Sequence, residues 1–393
     1  MKKTIKDVEL SGKKVLLRVD FNVPIDENGV ITDDTRIKLE LPTIKYLLQQ
    51  NAKLIICSHL GRPNGQKNLK YSLLPVAKYL VKELIGRVYF VNDCIGQEVQ
   101  KKVESLQNGE VLVLENVRFY NDEEENDPIF CNELASLADI YVNDAFGTAH
   151  RKHASTYGVA KLLPNAVGLL MGKEINAIKS VIDNPTRPLL AIVGGAKVSD
   201  KINLLEHLIT KCDKILIGGG MAFTFLKAKG VAVGKSLVDE QSIYLAKQIL
   251  DNAKSNNVDI ILPIDYICAE EFSPNAKPIK IKGEIPNYLQ GLDIGKKTIK
   301  MFLKEIKQAN SIVWNGPLGV FEFKPFSHGT LKIAKAIIKF KGKVIVGGGD
   351  SVAAVKKAGD ISRIYHISSG GGASLKLMAG ENLPGVDVIE DLN

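Results

Sequence analysis

Residues 189–201, Leu-Leu-Ala-Ile-Val-Gly-Gly-Ala-Lys-Val-Ser-Asp-Lys, constrain the fold of this chain more than any other stretch. Five consecutive apolar residues are too few for a buried helix and end at a glycine pair, so 189–193 predicts a parallel strand buried on both faces. From Val198 the pattern turns helical. A strand therefore hands a glycine turn to a helix N-terminus, where unpaired N–H groups and the positive end of the dipole suit an anion. Lys197 and Lys201 add two cations to the same place. Read alone, these thirteen residues fit a phosphate site and an ordinary strand-to-helix turn with solvated lysines equally well.

The same alternation recurs along the chain. Residues 15–23, 54–58, 88–92, 111–117 and 140–143 predict strands, separated by amphipathic stretches such as 36–50 and 73–85, the latter capped by Ser72. A second set follows at 189–193, 214–217, 259–263, 311–314, 343–346 and 364–367, and almost every strand in it ends in glycine. Strands alternating with helices build parallel sheets covered on both faces, so the expected fold class is α/β with two doubly wound parallel-sheet domains. Between the sets, 168–183 predicts a helix bounded by Pro164, Pro185 and Pro188, the natural interdomain linker. The expected organisation is therefore a domain at 1–167, a hinge at 168–185, a second domain at 186–374 and a C-terminal tail at 375–393.

Composition narrows the function. No apolar stretch approaches the ~20 residues of a membrane span, and the first 14 residues lack a continuous apolar core, so a cytoplasmic protein is expected. The five cysteines, Cys57, Cys94, Cys131, Cys212 and Cys268, are scattered and never form a C-x-x-C pair, which predicts buried reduced thiols rather than disulfides or zinc ligands. A net charge of +8 allows a nucleic-acid-binding module as the alternative from another class. With no block of five or six basic residues, the lysines read instead as a solvated surface. Only eight cations are arginines, and six of those lie before residue 160. In so lysine-rich a chain an arginine marks a need for its planar, bidentate fork, so the first half is where an anion is oriented.

Ligands of open α/β sheets sit beyond the carboxyl ends of the strands. In the first half those positions carry Asp20, Asn22, His59, Arg62, Arg118, Asn143, Asp144 and Arg151, with Arg36 opening a helix; together they describe a basic pocket for a small hydroxylated anion. In the second half they carry Gly218-Gly219-Gly220, Asn315-Gly316-Pro317, Gly319 to Glu322, Gly347 to Ser351 and Gly370-Gly371-Gly372. Repeated glycine lets backbone approach a ligand and present its N–H groups to phosphates. Asp350 is suited to Mg²⁺, a hard cation that accompanies nucleoside phosphates, and Glu322 to ribose hydroxyls. Gly230 to Ser236 imitates a P-loop but has one residue too few between its glycines and follows a helical stretch, so it is rejected. His150 and His153 have no third ligand nearby and predict pocket or surface histidines.

The ordered motifs Arg18-Val-Asp-Phe-Asn-Val-Pro24, Asp34-Thr-Arg-Ile37, Ser58-His-Leu-Gly-Arg-Pro63, Glu115-Asn-Val-Arg-Phe119, Asn143-Asp-Ala-Phe-Gly147, His150-Arg-Lys-His-Ala-Ser155, Gly194-Gly-Ala-Lys-Val-Ser-Asp-Lys201, Trp314-Asn-Gly-Pro-Leu-Gly-Val-Phe-Glu322 and Gly370-Gly-Gly-Ala-Ser374 resemble those of phosphoglycerate kinases over essentially the whole chain. The resemblance implies two Rossmann-like domains, the first binding 3-phosphoglycerate or 1,3-bisphosphoglycerate and the second Mg-ADP or Mg-ATP. It also implies a monomer that closes about a hinge, with the tail returning to the N-terminal domain. By matching motif it assigns Asp20, Phe21, Asn22, Arg36, His59, Leu60, Gly61, Arg62, Arg118 and Arg151 to the acid ligand. Lys201, Gly291, Glu322, Gly348, Gly349, Asp350 and Ser351 go to the nucleotide, with Asp350 nearest the metal. Arg36, Lys197, Gly349 and Gly371 go to the reacting centre. Transfer between an acyl phosphate and ADP needs no strong base, because the nucleophile is already an oxyanion in either direction; charge neutralisation, alignment and dryness are what the residues must supply.

Overall fold

The computed structural model describes residues 1–84 and 87–392. They divide into two compact units, Met1–Ile175 joined by the chain from Asn382 onward, and Asn176–Glu381. The boundary falls inside the helix Leu169–Ile182, the element expected at 168–183. Among the described residues all five cysteines are free and buried, and no helix is long and apolar enough to cross a membrane.

In the N-terminal unit, strands β1 (Lys14–Arg18), β2 (Lys53–Cys57), β3 (Val88–Phe90), β4 (Val111–Val113), β5 (Ile140–Asn143) and β6 (Asn165–Val167) form one parallel sheet in the order β3-β4-β2-β1-β5-β6. Its core joins Val15, Leu17, Leu54, Ile56 and Val142 to Ile37 and Ile44 of the helix Thr35–Gln49. Each such side chain contributes about 1.5–3 kcal/mol by leaving water. The chain leaves β1 in one direction for β2 and reaches β5 on its other side, so the ligand crevice opens where β1 and β5 end.

Strand ends fall short of the sequence expectation here: β3, expected over 88–92, stops at Phe90. β1 was expected to run to residue 23 and stops at Arg18, because side chains take over the backbone donors: Asp20 N donates to Glu40 Oε1 at 3.0 Å and Phe21 N to Ser58 Oγ at 2.9 Å. β4, expected to reach residue 117, stops at Val113, and Asn116 caps the short turn Val117–Phe119 instead. Ser72 does cap the start of the helix Leu74–Glu83, its Oγ accepting from Leu74 N at 3.2 Å and donating to Glu115 Oε2 at 2.7 Å, while Leu73 N donates to Glu115 Oε1 at 2.8 Å. Residue 85, the expected end of that helix, lies outside the described residues.

In the C-terminal unit, β7 (Leu189–Val193), β8 (Lys214–Ile217), β9 (Asp259–Ile261), β13 (Ser311–Asn315), β14 (Lys343–Gly347) and β15 (His366–Ile367) form a second parallel sheet, ordered β15-β14-β13-β7-β8-β9. Numbered within this sheet, that is the 3-2-1-4-5-6 order of dinucleotide-binding folds, with its switch point between β7 and β13. The core there joins Ile192, Trp314 and Val346 to Phe302 and Ile333. The expected strands at 259–263 and 364–367 are shorter than anticipated, and both are edge strands with one neighbour. A small antiparallel sheet of β10 (Asp265–Ala269), β11 (Ile279–Lys282) and β12 (Gln290–Ile294), ordered β11-β10-β12, had no sequence expectation. β11 is half-exposed, and β12 carries Gly291, which weakens the local strand signal.

Candidate active site

At the carboxyl end of the N-terminal sheet, cations gather before any ligand is present. Arg18, the last residue of β1, is fully buried. Its Nε donates to Ser155 Oγ and its Nη2 to His59 Nδ1, at 2.8 and 3.2 Å. Ser155 is held in turn by the buried carboxylate of Glu123, which accepts from Ser155 Oγ at 2.7 Å and Ser155 N at 2.8 Å. A guanidinium can only donate, so His59 Nδ1 must accept and the ring proton sits on Nε2. Burial, followed by the charges of Arg18, Arg118, Arg36 and Arg151, holds the His59 pKa well below the usual imidazole range. His59 is therefore a neutral hydrogen-bond donor, not an acid.

Arg118 carries the clearest signal. Its side chain is 4% exposed, Nη1 donates to Gly61 O at 3.1 Å, and Nε and Nη2 have no hydrogen-bond partner among the described residues. The nearest acid, Glu124, lies 3.5 Å from Nε without hydrogen-bond geometry. Burial and the neighbouring Arg18 push its pKa down to about 10, so the cation is disfavoured where it stands. A buried cation with idle donors is costly unless an anion arrives.

Other expected acid-ligand residues surround this point. Arg36, in the first turn of the helix Thr35–Gln49, pairs through Nη1 with Asp20 Oδ2. Asp20 also accepts from Asn22 N at 3.2 Å, and Asn22 Oδ1 accepts from Gly61 N at 2.9 Å, which leaves the Asn22 amino group as a donor. Gly61 needs its glycine: φ is +63°, and a Cβ would lie 2.4 Å from the Tyr71 ring. Arg62 is exposed, and Arg151 Nε contacts His150 Nε2 at 3.3 Å. Phe21 and Leu60 differ from expectation. Both side chains are buried in or against the core, and their amides serve Ser58 and Asn116, so neither offers a group to a ligand. Beneath the cluster the returning tail is tied to β5, with Asn143 Nδ2 donating to Gly385 O at 3.0 Å.

The C-terminal unit has a cavity of about 500 Å³ at the carboxyl ends of its strands, in the size range of small-molecule sites. Gly291, Glu322 and Asp350 all line it, although they come from β12, the loop after β13 and the first turn of the helix Gly349–Ala358. Lys235, from the segment rejected as a P-loop, lines it too, and Ser236 Oγ accepts from Gly291 N at 2.9 Å.

Several expectations change here. The glycines at 194, 195 and 316 commit their amides to protein acceptors rather than to a ligand. Gly194 N donates to Asn315 O and Gly195 N to Pro317 O at 2.9 and 3.0 Å, and a Cβ on Gly194 would lie 2.0 Å from Pro317 O. They are glycines because two loops touch backbone to backbone at the switch point. The helix after Lys197 also starts late: a single 3₁₀ turn spans Ser199–Lys201, and the α-helix is Ile202–Ile209. Exposed Lys197 therefore stands in the loop, ahead of any helical dipole. Ser351 is fully buried and its Oγ accepts from Gly316 N at 2.6 Å, so it holds the loop rather than lining the cavity.

Lys201 turns inward to Asn315 Oδ1, and burial lowers its pKa. This orients the Asn315 carboxamide so that Nδ2, buried and without a hydrogen-bond partner, points at the Gly348 turn, where φ is +87° and a Cβ would lie 3.3 Å from it. Asn315 was expected only as part of the Asn315-Gly316-Pro317 strand end, with no role assigned to its side chain. Gly349 and Gly371 open helices with free space around their Cα atoms. Among the described residues no group of three or more His, Cys, Asp or Glu side chains forms a metal cage. A lone Asp350 suits Mg²⁺ delivered on phosphates, since Mg²⁺ usually takes one or two carboxylates plus substrate oxygens.

A family model described as phosphoglycerate kinase matches residues 5–381. A phosphoglycerate kinase of Prochlorococcus marinus (strain MIT 9211) is 53% identical over 391 residues, covering 98% of this chain and 97% of that one. One from Koribacter versatilis (strain Ellin345) is 53% identical over 398 residues, covering 99% of each. Among solved structures, the phosphoglycerate kinase of Coxiella burnetii superposes with a TM-score of 0.91 at 40% identity, covering 99% of this chain and 98% of its own. That of Pyrococcus horikoshii OT3 gives 0.83 at 34% identity, with 98% of each covered.

Proposed function

Because this chain belongs to the phosphoglycerate kinase family, we propose that its arginine cluster holds 3-phosphoglycerate or 1,3-bisphosphoglycerate and its glycine-lined cavity holds Mg-ATP or Mg-ADP. The reaction is reversible phosphoryl transfer between 1,3-bisphosphoglycerate with ADP and 3-phosphoglycerate with ATP. Nothing in the comparisons supports a nucleic-acid-binding module. The observation that carries the ligand assignment is Arg118, buried with two unpartnered nitrogens among other arginines.

On this reading His59 Nε2–H, the Asn22 amino group, Arg62, Arg118 and Arg151 orient the acid ligand. Arg36 exchanges its Asp20 partner for oxygens of the transferred group, a step that keeps its charge neutralised throughout. Lys197 meets the same group from the C-terminal unit, Lys201 and Asn315 Nδ2 hold nucleotide phosphate, and Glu322 accepts from the ribose. Asp350 would hold Mg²⁺, which when bound would neutralise phosphate charge. Charge stabilisation aimed at the transferring oxygens is the main catalytic effect available, since neither nucleophile needs deprotonation. The two ligands are assigned to different units, and in-line transfer needs reacting atoms about 3–3.5 Å apart. Hinge closure that brings them together and excludes water is part of the proposal, as are a monomeric state and a cytoplasmic setting. A coupled assay with ATP and 3-phosphoglycerate tests it: turnover should require both substrates and Mg²⁺, and turnover unaffected by omitting Mg²⁺ would remove Asp350 from the scheme.

A further inference from the structure

The positive charge of this chain is not spread evenly. Residues 296–343 contain eleven lysines and two glutamates, with no arginine or aspartate, a net of +9 against +8 for the whole chain. The other residues together are therefore almost neutral. Within this segment the helices Lys296–Gln308 and His328–Ile338 pack side by side, and their outer faces meet at a groove of about 1020 Å³. Lys297, Lys300, Lys304, Lys307, Lys339 and Lys341 rim it. Its floor includes Met301, Leu303, Ile306 and Phe340, which are half-buried or buried. No acid lines it. Glu305 is turned away to Lys214 at 2.7 Å, and Glu322 lines the nucleotide cavity instead.

We propose that this groove binds a single-chain anionic amphiphile, a long-chain carboxylic acid in its ionised form, with the chain on the apolar floor and the carboxylate among the lysines. Six like charges around an apolar opening repel one another, and an anion relieves that repulsion while the lysine stems extend the apolar wall. The absence of arginine fits a headgroup that is neutralised rather than held in one orientation. Among the described residues, none of the exposed large apolar side chains falls within 296–343, so the face has nothing to insert into a bilayer; its apolar surface is recessed and receives a chain instead. Phe340 is the one aromatic ring lining the groove, too few for the stacking platform of a single-stranded nucleic-acid site.

The groove is separate from the nucleotide cavity. Ala309 and Asn310 directly precede β13, and Lys341 and Gly342 directly precede β14. It therefore lies at the amino ends of strands whose carboxyl ends carry the phosphate loops, and the two cavities share no lining residue. Binding here does not compete with nucleotide.

Calorimetry of the full chain with dodecanoate below its micellar concentration tests the proposal. The expected result is saturable binding at one site, tightening roughly fourfold per added methylene from decanoate upward, with dodecanol at least about tenfold weaker and ATP without effect on the affinity. The triple variant Lys300→Glu, Lys304→Glu, Lys339→Glu should weaken dodecanoate at least about tenfold, and Leu303→Gln should weaken it by a similar factor, both at unchanged kinase activity. All three lysines are exposed, so the rim variant carries the test if the floor variant folds poorly. The proposal is overturned by no saturable binding at millimolar dodecanoate, by dodecanol binding as well as the acid, or by affinity unchanged in the rim variant. Binding to phosphatidylglycerol vesicles or single-stranded RNA without binding of dodecanoate overturns it equally.

Discussion

In the N-terminal unit the groups proposed to meet the anion are side chains already held in place: His59 by Arg18, Arg36 by Asp20, Arg118 by Gly61. In the C-terminal unit they are backbone turns, one inward-facing lysine and an orphaned carboxamide, beside a cavity whose walls come from several loops, β12 and the start of the helix Gly349–Ala358. On the proposed assignment of ligands, the difference follows from ligand shape. A small acid with charge at both ends must be fixed in orientation, which takes rigid, bidentate donors buried in advance at some expense of stability. A nucleotide is long and flexible, and its phosphates are met by whatever backbone can come close. The comparison also separates two uses of glycine, since those at 194 and 316 let loops touch each other, while a Cβ on Gly349 would meet nothing within 4 Å.

The largest test of this contrast is Arg118→Met. It should weaken 3-phosphoglycerate binding on the order of 10³-fold, within the range for removing one partner of a buried charge pair. Nucleotide affinity should not change. Because the substitution removes a buried cation with idle donors, the melting temperature should hold or rise; a clear drop would make Arg118 structural and remove the main support for the acid site.

Next in size is Lys197→Ala, expected to lower kcat by about 10² to 10³ with both KM values nearly constant, as for loss of one donor to a developing charge. A raised KM for ATP at constant kcat would move Lys197 into ground-state nucleotide binding. The structure sharpens this test, because Lys197 precedes the helix and no dipole substitutes for its charge.

A pair of glycine variants divides the C-terminal loops. Gly194→Ala places a Cβ against Pro317 O and should destabilise the chain by about 1–3 kcal/mol or more in denaturant titration. Gly349→Ala meets nothing within 4 Å and should stay within about 0.5 kcal/mol. Equal stability losses would end the distinction between loop-contact glycines and glycines in open space.

The smallest effect is a pH slope. His59 has a folded-state pKa well below its unfolded value of 6.5, so below that pH the unfolded chain binds the extra proton and stability falls with acidification. His153, pushed down to about 3 chiefly by burial, acts in the same sense. The buried carboxyls Glu40, Asp144 and Glu123, all raised mainly by burial, act in the opposite sense. The measurable quantity is therefore a difference: between pH 6.5 and 5, the parent should lose up to about 1.4 kcal/mol per pH unit relative to His59→Gln. Parallel pH profiles would mean that His59 is protonated in the fold.

The order of elements, the parallel sheets, the concentration of arginines in the first half and the glycine-rich strand ends were all legible in the sequence. Hydrophobic runs and their breaks report how each segment is buried, and burial on both faces is a local property of β7 or β13. What the sequence could not carry was the identity of each backbone group's partner. That Glu40 ends β1 at Arg18, that Glu123 and Ser155 aim Arg18 at His59, and that Gly194 is small for the sake of Pro317 all depend on contacts made across tens to more than a hundred residues. The antiparallel sheet escaped for the same reason, since β11 and β12 are stabilised by pairing with β10 more than by their own composition. The lysines of 296–343 were visible as residues, but only the packing of two helices makes them the rim of one groove. Periodicity states that a side chain is buried or exposed; tertiary structure alone states against what.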